Sequence, residues 1–286
     1  MNQLKKAYVA IFGSVFIWGT AIVVSKYVLN AARPLTITAL RFMIAYLFLL
    51  PFAIKRGFKP GISFERKYLW LGLIGYALSS SLQNIGLQFT SSTMTVLIQS
   101  MLPVCTLIFA GVLLKEKATH KKVLGIVVSI SGISIAVFSG INGNSANTWY
   151  GMLLILISIA FWGAYSVLSK MYLHHEDSVI TTIGVFGGGL LFLIPASIIE
   201  ILMGNVPVFS FNSILGLLYL GVFCSALGFL FWNYAIKKID TTKASLIYNL
   251  VPVVGILAAT VTGEEIFFMQ IVGGVITVFG IMMCDS

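Results

Sequence analysis

Apolar runs of about twenty residues, separated by short polar breaks, occupy almost all of the 286-residue chain. A helical membrane span needs roughly 20 apolar residues to cross a ~30 Å hydrocarbon core. Such runs in close succession leave little choice of fold. The chain is 58% hydrophobic and 9% charged, where a soluble domain carries about 25% charged residues. Water could not accommodate that much apolar surface, and lipid can. The runs predict ten transmembrane helices, at about 7–30, 35–54, 68–89, 92–114, 122–140, 149–171, 179–202, 211–235, 242–262 and 267–284. The expected fold class is an all-α integral membrane protein with no room for a soluble domain. The first run follows Lys5 and Lys6 but is longer than a secretory signal core. It is expected to be a retained helix.

Punctuation supports the divisions. Arg33-Pro34 separates spans one and two, and Asn142-Gly143-Asn144-Ser145 separates five and six. Only Thr90-Ser91-Ser92 divides three from four. The formal net charge of +9 would suggest nucleic acid in a soluble protein. Here the basic residues sit in short loops, where they act as orientation signals, and no nucleic-acid partner is expected. With the N-terminus inside, fifteen of the eighteen Lys and Arg residues fall on the cytoplasmic side. Only Arg33 falls outside, while Lys26 and Arg41 fall within spans. Both termini are therefore expected in the cytoplasm of a cell-membrane protein. Cys105, Cys224 and Cys284 lie in apolar runs without metal-ligand or disulfide spacing.

The two halves of the chain resemble each other. At an offset of 144, Ser14, Trp18, Gly19, Val23, Ser25 and Lys26 match Ser158, Trp162, Gly163, Val167, Ser169 and Lys170. At an offset of 149, Asn84, Thr93, Pro103, Glu116 and Gly125 match Asn233, Thr242, Pro252, Glu265 and Gly274. The reading is a five-helix unit used twice, over residues 1–141 and 142–286. An odd number of spans per unit inverts the second copy in the membrane. Secondary transporters built this way bind substrate near the midplane, between the repeats. Channels also contain inverted repeats.

The stretch Phe16-Ile17-Trp18-Gly19-Thr20 with Lys26 resembles the opening of EamA-type members of the drug/metabolite transporter superfamily. Ala39-Leu40-Arg41-Phe42, Pro103, Leu114-Lys115-Glu116, Gly125 and Gly132 resemble the rest of their unit. Gly263-Glu264-Glu265 with Gly274 and Gly280 resembles the second copy. The resemblance covers nearly the whole chain. It implies ten helices in two inverted halves and export of metabolites, amino acids or drugs. One departure is that span seven, with Gly187-Gly188-Gly189, has no counterpart to Arg41.

Trp18 and Trp162 lie near the bilayer midplane, Trp18 about 16 Å deep by helical rise. Tryptophan favours the interface, so these two either wall a central cavity or pack beside Gly19 and Gly163. Trp70 and Trp149, at span ends, belong to the interfacial belt. Mid-span polar residues are the other candidates: Tyr76, Ser79-Ser80-Ser81, Gln83 and Asn84 in span three, Gln99 and Ser100 in span four, Ser225 and Asn233 in span eight, and Tyr248 and Asn249 in span nine. Such groups face protein or water rather than lipid. Pro103 and Pro252 follow Gln99 and Asn249, and a proline frees a backbone carbonyl and kinks the helix. Arg41 sits about 9 Å from the outer boundary, within reach of a pathway or of the interface. Lys26 and Lys170 lie nearer span ends, where snorkelling or a loop contact is expected.

All nine carboxylates lie in loops or at span edges. No buried carboxylate is available to take drug and proton in turn. This favours neutral, zwitterionic or anionic metabolites over cationic drugs. Glu116 and Glu265 are expected to act structurally. His120, His174 and His175 are the only histidines and occupy loops, so a membrane enzyme lacks its acid–base pair. The expected function is export of small metabolites, foremost amino acids or related zwitterionic or anionic compounds, by alternating access. A channel-like facilitator and, less favoured, a membrane-embedded enzyme are the alternatives. The expected substrate-binding set is Trp18, Arg41, Tyr76, Ser80, Asn84, Gln99, Trp162, Tyr248 and Asn249. No cofactor or metal is expected, and the protein is taken as a monomer or homodimer in the bilayer.

Overall fold

The computed structural model describes residues 3–113, 120–139, 146–239, 244, 247–248, 250–263 and 266–285. The expectations placed on Asn249, Glu116 and Glu265 fall outside the described residues. The helices are α1 (Gln3–Val28), α2 (Pro34–Ile54), α3 (Arg66–Gly72), α4 (Ser79–Phe89), α5 (Ser92–Gln99), α6 (Leu102–Leu113) and α7 (His120–Ser139) in the first half. They are α8 (Ala146–Leu173), α9 (Ser178–Leu202), α10 (Phe211–Tyr219), α11 (Gly228–Ile236), α12 (Leu250–Val261) and α13 (Phe268–Asp285) in the second. Six helical stretches are long and apolar enough to cross a membrane: Gln3–Val28, Pro34–Ile54, Ser92–Leu113, Thr148–Leu173, Ser178–Leu202 and Phe211–Ile236. Shorter apolar helices run over Val123–Ala136, Leu250–Val261 and Phe268–Gly280. The stretch 66–89 is continuously helical, but the polar run from Ser79 to Asn84 lowers its apolarity.

Local chemistry sets the boundaries. Thr90 is extended and Ser91 caps α5, its Oγ accepting from the Met94 N–H at 3.1 Å. This puts a helix break at Thr90-Ser91, between the helical stretch 66–89 and α5. Pro103 has no N–H to offer the Gln99 carbonyl, and the helix breaks at Ser100–Met101 between α5 and α6. The start of α2 has Pro34 at its first position and no side-chain cap from Arg33. Its orphan N–H groups are satisfied from another helix. The Glu200 carboxylate, in the last turn of α9, accepts from Thr36 N and Thr36 Oγ1, both at 2.7 Å, and from Leu35 N at 3.3 Å. A negative charge there also complements the positive end of the helix dipole.

Packing is reciprocal between the halves. Helices α4 and α6 pack on α8, and α11 and α12 pack on α1. Helix α2 packs on α9, and α7 on α13. The exterior is apolar, with Leu202 79%, Val112 70% and Phe279 61% exposed. Polar side chains such as Asn84, Ser225, Asn233 and Thr277 are wholly buried. Trp70 and Trp149 are exposed. That inside-out distribution is what lipid selects, because buried polar groups need protein partners.

Candidate functional site

Two segments, within the helical stretches 66–89 and 211–236, leave the α-helical ladder. Leu73–Leu78 and Leu220–Leu227 form π-helical turns. Widened turns of this kind free backbone groups and are frequent at functional sites. Here the carbonyl of Cys224 accepts a hydrogen bond from the Trp18 indole N–H at 2.8 Å. The close approach needs Gly228, where an added Cβ would stand 2.6 Å from Trp18 Nε1. Gly19 is equally tight, since a Cβ there would meet Val254 Cβ at 2.4 Å. Both readings of the Trp-Gly pair are thus realised, with the glycine packing a helix and the tryptophan walling a cavity.

The cavity encloses about 50 Å³, room for a few waters. Small-molecule pockets begin near ~300 Å³. Trp18, Trp162, Phe229 and Tyr248 supply its aromatic wall, and Arg41, Ser80, Gln83 and Gln99 its polar wall. The rings interlock: Trp18 stands edge-on to Trp162 at 5.9 Å, and Phe229 lies 5.1 Å from Trp18 and 5.3 Å from Trp162. One turn before Ser80, Tyr76 continues this packing with Phe42, Phe186 and Phe229 at 4.8–5.1 Å.

Arg41 is 5% exposed and donates from Nε to Ser225 Oγ at 2.9 Å. Its Cζ lies 5.4 Å from the centroid of the Phe42 ring, its terminal nitrogens have no hydrogen-bond or ion-pair partner among the described residues, and no Asp or Glu among those residues lines the cavity. The guanidinium stays charged at any physiological pH. Gln99 donates to Gln83 Oε1 at 2.8 Å, while its own Oε1 is buried without a partner. Ser80 and Tyr248 show no hydrogen bond among the described residues.

Of the nine expected residues, six meet at this cavity: Trp18, Arg41, Ser80, Gln99, Trp162 and Tyr248. Tyr76 and Asn84 do not line it. Tyr76 is fully buried with its hydroxyl 2.9 Å from that of Tyr165, which donates to Asn233 Oδ1 at 2.9 Å. Asn84 donates to Thr38 Oγ1 at 2.9 Å, and Asn233 donates to Thr182 Oγ1 at 3.0 Å. These two bonds join residues related by the offsets of 149 and 144. Lys26 reaches the carbonyls of Leu87, at 2.8 Å, and Thr90. Lys170 reaches that of Ile239, the position matching Thr90, at 3.5 Å. Both lysines make the expected loop contacts. Cys224 is buried and Cys105 half-buried, both as free thiols; the side chain of Cys284 is outside the described set.

Sequence reasoning passed over Phe229 and Trp232. They occupy the positions matching Ser80 and Gln83 at the offset of 149, and that register was the available signal. Trp232 is fully buried with its indole N–H unpaired. A charged cluster also went unforeseen. Glu176 accepts from Lys67 and Tyr68, and Arg56 pairs with Asp177 at 2.7 Å. Lys237 donates to the Glu176 carbonyl at 2.6 Å and to Thr181 Oγ1 at 2.8 Å. Burial pulls the Lys237 ammonium down to about 8, against the opposing charges of Glu176 and Asp177.

An apolar exterior, buried polar groups and several spanning helices define a multi-pass membrane protein. The chain belongs to the EamA-like transporter family, whose sequence profile matches residues 5–138 and again residues 149–284. It is 29% identical to the uncharacterized transporter YyaM of Bacillus subtilis, over 98% of this chain and 93% of that one. It is 24% identical to a probable amino-acid metabolite efflux pump of Salmonella typhimurium, over 93% and 90%. A solved crystal structure, 18% identical, shares the fold with a TM-score of 0.73 over 98% of this chain and 97% of that one.

Proposed function

We propose that this transporter exports small metabolites, foremost amino acids or related zwitterionic or anionic compounds, across the cytoplasmic membrane by alternating access. The observation that carries this reading is the buried Arg41 guanidinium, which faces a central cavity with no carboxylate lining it among the described residues. An uncompensated charge at membrane depth is costly, and is a functional site by default. The substrate-binding set is Trp18, Arg41, Ser80, Gln99, Trp162 and Tyr248, with Gln83 and Phe229 added from the cavity wall. The efflux pump among the relatives supports the amino-acid direction.

The architecture proposed is ten spans in two inverted five-helix repeats, 1–141 and 142–286, with both termini inside. The paired Asn–Thr bonds, the paired lysine contacts, the matched π-helical turns and the twofold profile match support it. In that orientation the cluster of Lys67, Glu176 and Lys237 ties the cytoplasmic end shut. A cavity of about 50 Å³ backed by packed rings favours alternating access over a continuous channel.

The test is uptake and efflux in proteoliposomes, with pooled labelled amino acids, with and without a pH gradient. Saturable, trans-stimulated flux lost in both Trp18→Ala and Arg41→Gln, with folding intact, is the expected result. Unaltered flux in Arg41→Gln would remove Arg41 from the site. Flux of sugars or nucleotides alone would replace the substrate class.

A further inference from the structure

The two halves contribute unequally to the cavity. At the offset of 149, Ser80 matches Phe229, Gln83 matches Trp232 and Gln99 matches Tyr248. In each pair the first half supplies the polar member and the second half the ring. At the offset of 144, Arg41 matches Val185. The first half therefore supplies the polar, positively charged wall together with the Trp18 ring, and the second half supplies the other rings, Trp162, Phe229 and Tyr248.

The charge on this wall is uncompensated. Among the described residues Arg41 is the only charged one lining the cavity, and beyond the Phe42 ring its terminal nitrogens have no hydrogen-bond or ion-pair partner there. A desolvated space strongly favours zero net charge. A monoanion bound at Arg41 gives zero. A zwitterion leaves the site at one positive charge, with its ammonium held a few bonds from the guanidinium. Cation–π attraction from the rings is open to an ammonium, but Arg41 repels it from the same space. The rings of Trp18, Trp162, Phe229 and Tyr248 offer a bound solute an apolar face to pack against.

We infer that the site selects a monoanionic amphiphile, a carboxylate carrying an apolar or aryl body, over the zwitterion or cation of the same skeleton. This rests on the transport reading above and chooses among its substrate classes.

Three probes share one ring and differ in charge: 3-phenylpropanoate, phenylalanine and 2-phenylethylamine. Their binding to the purified full chain is followed by ligand-induced thermal stabilisation and by the fluorescence of the cavity tryptophans. The expected order places 3-phenylpropanoate at least about tenfold tighter than phenylalanine, with the amine weakest. Arg41→Gln should erase that preference. Should Arg41→Gln fail to fold, Gln99→Glu gives an independent reading, because a carboxylate in the cavity neutralises Arg41 and should reverse the order. Equal or tighter binding of phenylalanine overturns the inference. So does a preference that survives in both variants, or no binding of any of the three. Counterflow of pooled labelled solutes in proteoliposomes is the separate arm. Saturable exchange of any solute there keeps the transporter reading standing when the charge order fails.

Discussion

Trp18 and Cys224, 206 residues apart, are joined by a 2.8 Å hydrogen bond from the indole N–H to a backbone carbonyl. The carbonyl belongs to the π-helical turn Leu220–Leu227, so the bond fixes a ring of the cavity wall to a widened helix of the other half.

Removing that bond while keeping a ring should be mild. Trp18→Phe is expected to lower stability by about 1–2 kcal/mol, the cost of an unpaired buried carbonyl. Trp18→Ala also opens a void beside Trp162 and Phe229 and should cost about 3–5 kcal/mol. Thermal unfolding in detergent ranks the two, and a Trp18→Phe protein as unstable as Trp18→Ala would contradict the assignment.

Asn84 and Asn233 make matching bonds with unequal consequences. Asn84 Oδ1 is buried without a partner, whereas Asn233 Oδ1 accepts from Tyr165. Asn84→Leu loses one bond and relieves one unpaired acceptor, so it should be close to neutral. Asn233→Leu loses both bonds and strands the Tyr165 hydroxyl, costing about 2 kcal/mol more. Equal midpoints for the two variants would refute this.

Glu200 substitutes for a missing cap at the start of α2. Glu200→Ala leaves two backbone N–H groups and the Thr36 hydroxyl without their acceptor and should cost about 1–2 kcal/mol. Glu200→Gln retains an acceptor but loses the charge, and is expected to fall between Ala and wild type in the same unfolding measurement.

Lys237 gives a pH dependence with a definite sign. Its folded pKa, about 8, lies below its ordinary value of 10.5 because burial disfavours the ammonium. Between these values the unfolded chain binds more protons than the folded one, so this group's contribution to stability rises with pH. Below about pH 8 it is constant and unfavourable. The midpoint of wild type relative to Lys237→Met should increase from pH 8 to pH 10. A flat or falling difference would show that Glu176 and Asp177 hold the ammonium charged throughout.

Much of this was legible in the order of residues. Apolar runs of spanning length fix helices, because lipid cannot satisfy an open backbone. The break at Thr90-Ser91 and the interruption ahead of Pro103 follow from capping and from the missing proline N–H. The Trp-Gly, Asn and Pro correspondences foreshadowed the reciprocal packing. Six of nine expected residues reach one cavity because mid-span polarity and depth are both readable from sequence.

The tertiary structure alone decided the direction in which each polar group points. Tyr76 and Asn84 have the same depth and polarity as the cavity residues, yet hydrogen bonds turn them to Tyr165 and Thr38. Sequence reasoning did not single out Phe229, which packing sets between Trp18 and Tyr76. Glu200, at a span edge, proved to cap a helix 165 residues away in sequence. Sequence determines how deep a residue sits, because rise per residue is constant. Its partner depends on how helices from both halves cross, and widened turns and small residues set those crossings through long-range contacts.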